Sequence, residues 1–282
     1  MGFAQAWVVV GRHRPNVVLG VGGYASGPVL LAARMQGIPT AIHEQNAFPG
    51  LANRTLAKFV KAVAVAFPDA GSRMKRADAV VTGNPIRKEF FEASRHPAPG
   101  TRHRLLIFGG SQGSHVLNEA MSGALLFLAR LKDRLTIVHQ TGAKELDQVR
   151  QAYRTSAFAD ARVVPYLDPI VDEIAAADVV VSRAGAMTIG ELAAVGRAAI
   201  LIPFAAATNN HQELNARVVE KAGGAVVITE SQLTPEKLAM TISEILSDAA
   251  RVARMGAAAR SLAAPEATKK IVDLLDKIER TE

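Results

Sequence analysis

The sequence contains no cysteine, few aromatic residues and no apolar run of the roughly 18 residues that a membrane-spanning helix requires. The absence of cysteine excludes disulfides, thiolate metal ligands and cysteine nucleophiles. Aromatic residues make up 5% of the chain and do not interleave with basic ones, which disfavours nucleic-acid binding. Histidines and carboxylates show no metal-binding spacing, and the N-terminus lacks the order of a signal peptide. We therefore expect a cytoplasmic or peripherally membrane-bound protein.

The positive charge is concentrated in the first third of the chain. Residues 1–104 hold 14 Lys and Arg against 5 Asp and Glu, a net charge of +9, whereas residues 105–282 carry −2. A basic region of this kind suits an anionic lipid surface or an acidic substrate. A solvated basic face is the simplest alternative.

Short apolar runs alternate with helical patterns throughout the chain. The predicted strands are Val17–Val21, Thr40–His43, Ala62–Ala66, Ala79–Thr82, Leu105–Phe108, Leu135–His139, Arg162–Pro165, Val179–Ser182, Ala199–Ile202 and Ala225–Ile228. This alternation predicts an α/β protein whose parallel sheets are covered by helices on both faces. The stretch Arg87–Thr101 is rich in Pro, His and charge and suits a linker. We therefore expect domains at residues 1–92 and 93–264, with a helix at 265–282 that packs back on the first.

Three polar segments follow predicted strands in the second half: Gly109–Gly113, Ser182–Glu191 and Asn209–Asn215. Because the carboxyl ends of parallel strands meet at one edge of a sheet, these segments are expected to share that edge. A glycine-rich turn before a helix suits a diphosphate, and the Glu191 carboxylate suits a ribose diol. The amide cluster suits sugar hydroxyls. The set predicts a nucleotide-sugar site.

Each segment also has a plain structural interpretation: a strand–helix turn, a helix cap at Thr188 with a surface glutamate, and a polar loop. The first turn is not GxGxxG, and no acidic residue ends the strand Leu135–His139, which argues against NAD. In the first half, His43 and Glu44 follow a strand and are candidate acid–base groups, although a lone histidine there is more often structural. His115 is expected at the surface, in the first turn of a helix.

Together these segments resemble the MurG family, the bacterial N-acetylglucosaminyltransferases of peptidoglycan synthesis. The resemblance covers essentially the whole chain. Its motifs are Gly22–Pro28, His43–Asn46, Gly83–Arg87, Gly109–Gly113, Arg183–Glu191, His211–Gln212 and Pro265–Ala267.

The resemblance implies a GT-B fold of two Rossmann-like domains, the first incomplete at its N-terminus. The implied reaction transfers N-acetylglucosamine from UDP-N-acetylglucosamine to lipid I, the undecaprenyl-diphosphate-linked muramoyl-pentapeptide. It gives lipid II with inversion and needs no cofactor or metal. Such an enzyme serves cell-wall biogenesis, cell shape and cell division, bound peripherally to the anionic cytoplasmic face of the plasma membrane. It would work there in a cell-wall synthesis complex, without nucleic acid.

The resemblance also implies roles for individual residues. Those implied for UDP-N-acetylglucosamine are Asn46, Arg87, Ser111, Leu167, Ala186, Met187, Thr188, Ile189, Gly190, Glu191 and Gln212. Among them, Ser111 is expected at the diphosphate, Glu191 at the ribose and Leu167 beside the base. Gln212 is expected at the transferred sugar, and Asn46 and Arg87 are expected to reach the donor from the first domain. Those implied for the acceptor are Gly23, Tyr24, Ser26, Gly27, His43 and Glu44.

One departure bears on activity. The family opens with a strand and a GGTGGH turn that supplies its proposed catalytic histidine, and this sequence has neither. His43 is not at that position, so the catalytic base is unassigned and we expect this chain alone to transfer sugar poorly. The alternatives are a nucleotide-sugar-binding protein of impaired activity and a related GT-B enzyme that makes another glycolipid.

Overall fold

The computed structural model describes residues 2–93, 102–207 and 210–279. The chain divides into unit 1 (Met1–Ile86, Ala207–Leu214 and Ala264–Glu282) and unit 2 (Arg87–Ala206 and Asn215–Ala263). The boundary thus falls at residue 86 and not at the expected residue 92. The reason is that the helix Lys88–Glu92 packs against the helix Ala186–Val195 of unit 2.

Unit 1 contains a parallel four-stranded sheet with the order β1-β2-β3-β4. Its strands are β1 (Val18–Gly20), β2 (Thr40–Glu44), β3 (Ala62–Val65) and β4 (Val80–Val81). Its helices are α1 (Phe3–His13), α2 (Ser26–Met35), α3 (Leu51–Leu56), α4 (Pro68–Arg73) and α13 (Ala267–Asp276). Residues of α13 and the turn after it pack on β2 and β3, where Ile278 meets Ala41 and Ala62.

Unit 2 contains a parallel six-stranded sheet with the order β10-β9-β8-β5-β6-β7. Its strands are β5 (His103–Phe108), β6 (Leu135–Gln140), β7 (Arg162–Val164), β8 (Val179–Ser182), β9 (Ala198–Leu201) and β10 (Ala225–Val227). The remaining helices are α5 (Lys88–Glu92), α6 (His115–Leu128), α7 (Leu146–Arg154), α8 (Ile170–Ala176), α9 (Ala186–Val195), α10 (His211–Lys221), α11 (Pro235–Leu246) and α12 (Ala249–Arg260). The first residues of α10, through Leu214, are grouped with unit 1.

The strands at the centre of unit 2 are apolar on both faces because helices cover both faces of the sheet. Leu105 and Ile107 of β5, and Val179 and Val181 of β8, are fully buried against α6 and α11 on one face. Leu106 and Val180, which alternate with them, point to the other face and are also fully buried. Burial on both faces explains why these strands are continuous apolar runs and not alternating patterns. The same feature made them recognisable in the sequence.

All ten predicted strands are present, with ends that differ by at most two residues. The predicted start of α11 is confirmed, since Pro235 is its first residue and the Thr234 side chain accepts a hydrogen bond from the amide of Lys237. The C-terminal helix is shorter than expected, spanning Ala267–Asp276 within the predicted 265–282. No helix in the described part of the chain is long and apolar enough to cross a membrane.

Candidate functional site

The strand order of unit 2 reverses between β5 and β8. These two strands are neighbours, and Phe108 pairs with Ser182 at their carboxyl ends. From there the sheet continues to β6 on one side and to β9 on the other. The turns after β5 and β8 therefore start side by side, at the kind of switch point where open α/β sheets bind ligands.

The turn after β5, Gly109–Gly113, has a backbone that favours glycine. Gly110 and Gly113 have φ values of 93° and 75°. Ser111 is exposed, and the turn leads directly into α6. The first amides of a helix have no partners within it and lie at the positive end of its dipole. This turn can therefore present several donors to an anion.

The glycine-rich turn lies in backbone contact with the turn that follows β6. A Cβ atom added to Gly113 would lie 1.9 Å from the carbonyl oxygen of Thr141. One added to Gly142 would lie 2.3 Å from the carbonyl oxygen of Gln112. The two turns thus fit together only because glycine occupies both positions.

Gln140, the last residue of β6, also holds this turn. Its Nε2 donates to the carbonyl oxygen of Gly110 over 2.8 Å, and its Oε1 accepts from the amide of Leu167 over 2.9 Å. Leu167 itself is buried, in the segment that follows β7. Gln140 is not among the predicted site residues, although a polar residue directly after a predicted buried strand is a usable signal.

The turn after β8 leads into α9, which begins at Ala186 after Gly185 as the N-cap. The predicted cap at Thr188 is therefore wrong, because Thr188 is already the third residue of the helix. Of the expected donor-binding residues on this helix, Ala186 and Ile189 are buried, Met187 is exposed, and Thr188, Gly190 and Glu191 are half-buried.

The Arg183 side chain links the turn after β8 to residues that follow β9. Its Nη1 donates to the carbonyl oxygens of Ile202 and Pro203 after β9, and its guanidinium forms an ion pair with Glu230 and lies over the ring of Phe204. The turn after β8 is thereby tied to the end of the neighbouring strand.

The Glu191 carboxylate has no hydrogen bond or ion pair with any residue that the structure describes. Burial raises its pKa, and the positive charge of Arg87 acts in the opposite direction. A half-buried carboxylate without a hydrogen-bond donor is unfavourable in an isolated protein, and it is available to the hydroxyl donors of a ligand.

Arg87 belongs to unit 2, which corrects the expectation that it reaches the donor from the first domain. It is the N-cap of α5, stacks over Phe90 and forms an exposed ion pair with Glu89. Its positive charge acts on Glu191 because α5, which Arg87 caps, packs on α9.

The third predicted segment is described only in part, since Asn209 lies outside the described residues. Asn210 donates to Glu213 over 2.7 Å, which links the residue before α10 to its first turn. Gln212 is half-buried in that turn. Asn215 is fully buried and donates to the carbonyl oxygen of Ala184 in the turn after β8.

In unit 1, the residues expected at the acceptor follow β1. Gly22 and Gly23 have positive φ values of 88° and 76°, and the Ser26 hydroxyl donates to the carbonyl oxygen of Gly22. Tyr24 is completely exposed. The residues Gly23, Tyr24, Gly27, Gly50, Leu51, Ala52, Thr55 and Leu56 line an open cavity of about 500 Å³.

Glu44 and His43 are buried, and each faces a partner within unit 1. The Glu44 carboxylate accepts from the amides of Asn46 and Gly50 and from the Asn46 and Asn53 side chains, over 2.8–3.2 Å. His43 Nε2 donates to the carbonyl oxygen of Gly83 over 3.0 Å, and burial lowers its pKa. Both residues shape the loops around the half-buried Asn46.

A second polar network links β6 to the helices α6 and α7. His139 is fully buried between the Tyr153 hydroxyl and the Asn118 amide oxygen, and burial lowers its pKa to about 3. Asn118 in turn donates to Thr141 and Glu145, and Glu145 accepts from the exposed His115. Within the described ranges, no three His, Asp or Glu side chains are grouped as metal ligands.

Comparisons with known proteins match both parts of the chain. The glycosyltransferase family 28 C-terminal domain matches residues 104–275, and the corresponding N-terminal domain matches residues 1–65. A UDP-N-acetylglucosamine–N-acetylmuramyl-(pentapeptide) pyrophosphoryl-undecaprenol N-acetylglucosamine transferase from Syntrophotalea carbinolica is 46% identical, over 95% of this chain and 74% of its own length. One of the same name from Myxococcus xanthus is 44% identical, over 97% and 72%. The chain thus spans about three quarters of these relatives.

Comparison with solved structures gives the same family. MurG from Acinetobacter baumannii superposes with a TM-score of 0.81 at 33% identity, covering 98% of this chain and 78% of that one. The UDP-N-acetylglucosamine 2-epimerase from Neisseria meningitidis, bound to UDP-N-acetylglucosamine, shares the fold with a TM-score of 0.72 at 15% identity, over 98% and 80%. The predicted GT-B fold is confirmed, and the chain belongs to glycosyltransferase family 28 and, within it, to the MurG family.

Proposed function

We propose that this chain is a UDP-N-acetylglucosamine-dependent hexosyltransferase that converts lipid I to lipid II in peptidoglycan synthesis. The observation that carries the proposal is the 46% identity to a transferase of this name over 95% of the chain. This similarity covers the residues of both units and does not favour either a binding protein or a different glycolipid enzyme.

The donor would bind at the switch point of unit 2. Exposed Ser111 and the start of α6 supply donors for the diphosphate, and Glu191 is one turn into α9, without a hydrogen-bond partner among the described residues. Ribose hydroxyls can donate to this carboxylate. The segment around Leu167 would contact the base. The remaining residues proposed for UDP and the transferred sugar are Asn46, Arg87, Ala186, Met187, Thr188, Ile189, Gly190 and Gln212.

The reaction is a displacement at the anomeric carbon. A hydroxyl oxygen of the acceptor sugar forms the new bond to this carbon, the bond to the diphosphate oxygen breaks, and UDP leaves with the electron pair. The proton of the hydroxyl passes to a base. Negative charge grows on the diphosphate, where the glycine-rich turn and the positive end of α6 would stabilise it.

The acceptor would lie against the turn after β1 in unit 1, with Gly23, Tyr24, Ser26 and Gly27 at its diphosphate. The exposed backbone of this turn and the first amides of α2 can donate to an anion. His43 and Glu44 would act indirectly, by shaping the loop of Asn46, because both are buried and already hydrogen-bonded. In this arrangement neither is the catalytic base.

Unit 1 would also bind the membrane surface. On α1, Phe3, Trp7 and Val8 are exposed, and Arg12 and Arg14 lie at the end of the same helix. An apolar helix face flanked by basic residues suits an anionic lipid surface. We place the enzyme peripherally on the cytoplasmic face, within reach of other cell-wall synthesis enzymes.

The test of the activity is transfer of labelled N-acetylglucosamine to a short-chain lipid I analogue by the purified chain, with UDP-glucose and UDP-galactose as competitors. Transfer that is displaced only by UDP-N-acetylglucosamine supports the proposal. A folded chain that binds the donor but gives no labelled lipid would support the alternative of a nucleotide-sugar-binding protein with impaired activity. Labelled lipid formed equally well from UDP-glucose would support a different glycolipid enzyme.

A further inference from the structure

Gln140 joins two segments that belong to different strand ends. β6 lies between β5 and β7 in the sheet, and the Gln140 side chain lies at its carboxyl end with 1% of its surface exposed. It donates to Gly110, after β5, and accepts from Leu167, after β7. A single buried amide therefore spans three neighbouring strand ends.

The orientation of this amide is fixed by its partners. A carbonyl oxygen can only accept and a backbone amide can only donate, so the nitrogen of Gln140 must face Gly110 and its oxygen must face Leu167. A flipped amide would leave the half-buried carbonyl oxygen of Gly110 and the buried amide of Leu167 unsatisfied, which is costly. The amide of Gln140 therefore fixes the distance between the turn at Gly110 and the segment at Leu167.

Backbone contacts around Gln140 support the same arrangement. The amide of Thr141 donates to Val164 over 3.0 Å, and that of Gly142 donates to Pro165 over 3.1 Å. On the other side, Gly113 and Gly142 allow close backbone contact between the two turns. The Gln140 side chain adds a further cross-link to the glycine-rich turn, at Gly110.

We propose that Gln140 is a positioning residue for the donor: it sets the spacing between the turn that receives the diphosphate and the segment that receives the base. The inference rests on the proposed donor site. Because UDP spans both segments, a preset spacing lowers the conformational cost of binding. Loss of Gln140 should therefore weaken donor binding and raise the donor KM, and leave the acceptor KM unchanged.

The test compares Gln140→Met with Tyr153→Phe. Methionine keeps the length and neutrality of the side chain and removes both hydrogen bonds. The control removes the hydroxyl that contacts buried His139 and leaves the contacts of Gln140 intact. The readouts are hydrogen exchange in peptides covering residues 108–114 and 165–170, the Kd for UDP, and the KM of each substrate.

We expect Gln140→Met to accelerate exchange in both peptides and to raise the UDP Kd and the donor KM about tenfold. The control should lower the Tm and leave these values near wild type. Unchanged exchange in both peptides, or a donor KM no higher than that of the control, would overturn the inference.

Two further variants separate the possible failures. If Gln140→Met and Glu191→Ala both leave UDP binding intact, the placement of the donor site is wrong. If Glu191→Ala weakens UDP binding and Gln140→Met does not, only the positioning role of Gln140 is wrong. Should Gln140→Met not fold, Gln140→Glu keeps the acceptor for Leu167 and loses the donor to Gly110. Faster exchange in 108–114 but not in 165–170 then supports the proposal, and unchanged exchange in 108–114 overturns it.

Discussion

The two units place their polar residues in opposite ways. At the end of β2 in unit 1, the Glu44 carboxylate receives four hydrogen bonds from its own loop. One turn into α9 in unit 2, the Glu191 carboxylate receives none from the described residues. Glu44 is the last residue of β2 and Glu191 lies in the helix that follows β8, so each carboxylate lies at or beyond the carboxyl end of a buried strand. The difference teaches that a polar residue after a strand indicates a binding group only where the fold leaves it without a partner.

Glycines in the two units show the same contrast, and replacing them is expected to give the largest loss of stability. Gly113 in unit 2 and Gly23 in unit 1 have nearly equal positive φ values, 75° and 76°. A Cβ on Gly113 would overlap the backbone of Thr141, whereas one on Gly23 meets nothing within 4 Å. Gly113→Ala should cost about 3 kcal/mol or more and abolish UDP binding, and Gly23→Ala about 1–2 kcal/mol. Urea unfolding measures both, and equal losses would contradict this account.

The next effect concerns Glu44. A glutamine side chain at this position would turn its NH₂ group toward at least one of the four donors, so Glu44→Gln should destabilise the chain by about 2–3 kcal/mol. Binding of UDP to the folded fraction should stay within about twofold of wild type, or about 0.4 kcal/mol, because the groups proposed for the diphosphate, ribose and base lie in unit 2 and Glu44 lies in unit 1. Urea unfolding and calorimetry would show this separation. A large loss of UDP affinity without a loss of stability would instead make Glu44 a donor-binding group.

A smaller change in stability and in UDP affinity is expected when the pH is varied. Burial raises the pKa of Glu191 above its ordinary value of 4.5, so the folded chain binds more protons there than the unfolded chain does. Ionisation of Glu191 therefore lowers the stability as pH rises from about 4.5 through the raised pKa, and its penalty is absent below that range. Ribose hydroxyls favour the ionised form, so UDP affinity should increase over the same interval.

The control for this pH dependence is Glu191→Gln, which should bind UDP more weakly and with a flatter profile between pH 4.5 and neutrality. The measurement is a series of calorimetric titrations at constant ionic strength. An unchanged profile in the variant would assign the pH dependence to another group.

The smallest effect is expected at the surface of unit 1. Trp7→Ser should weaken binding to anionic phospholipid vesicles about fivefold, because apolar area on α1 no longer enters the lipid surface. Leu126→Ser on α6 is the matched control, since Leu126 is also an exposed apolar residue, but in unit 2. Vesicle co-sedimentation compares them, and equal losses would contradict a membrane surface on unit 1.

The fold was predictable because the central strands are buried on both faces. Continuous apolar runs such as Val179–Ser182 stand out from the helical patterns around them, and all ten strands were found. The ends of helices were harder to place. Thr188 resembles a cap, yet α9 begins two residues earlier because Gly185 adopts the extended backbone of an N-cap.

The sequence marks candidate site residues where polar side chains stay exposed after a strand, and it misses residues whose partners are distant in the chain. Ser111 and Glu191 lie in polar segments that follow predicted strands, and the sequence marks both as candidate ligand groups. Gln140 was missed because its role depends on partners 30 and 27 residues away, which only the sheet order brings together. Arg87 was assigned to the wrong unit because the packing of the short helix α5 on α9 is a tertiary contact that no local pattern encodes.

The central claim is that unit 2 holds the donor at the switch point between β5 and β8. Its most direct test is a calorimetric titration of the chain with UDP-N-acetylglucosamine, beside Glu191→Ala. We expect binding by the wild type and an affinity at least tenfold lower in the variant. The stability of the variant should be unchanged or higher, because a half-buried carboxylate without a hydrogen-bond donor among the described residues is removed. Equal affinities in the two folded chains would contradict it.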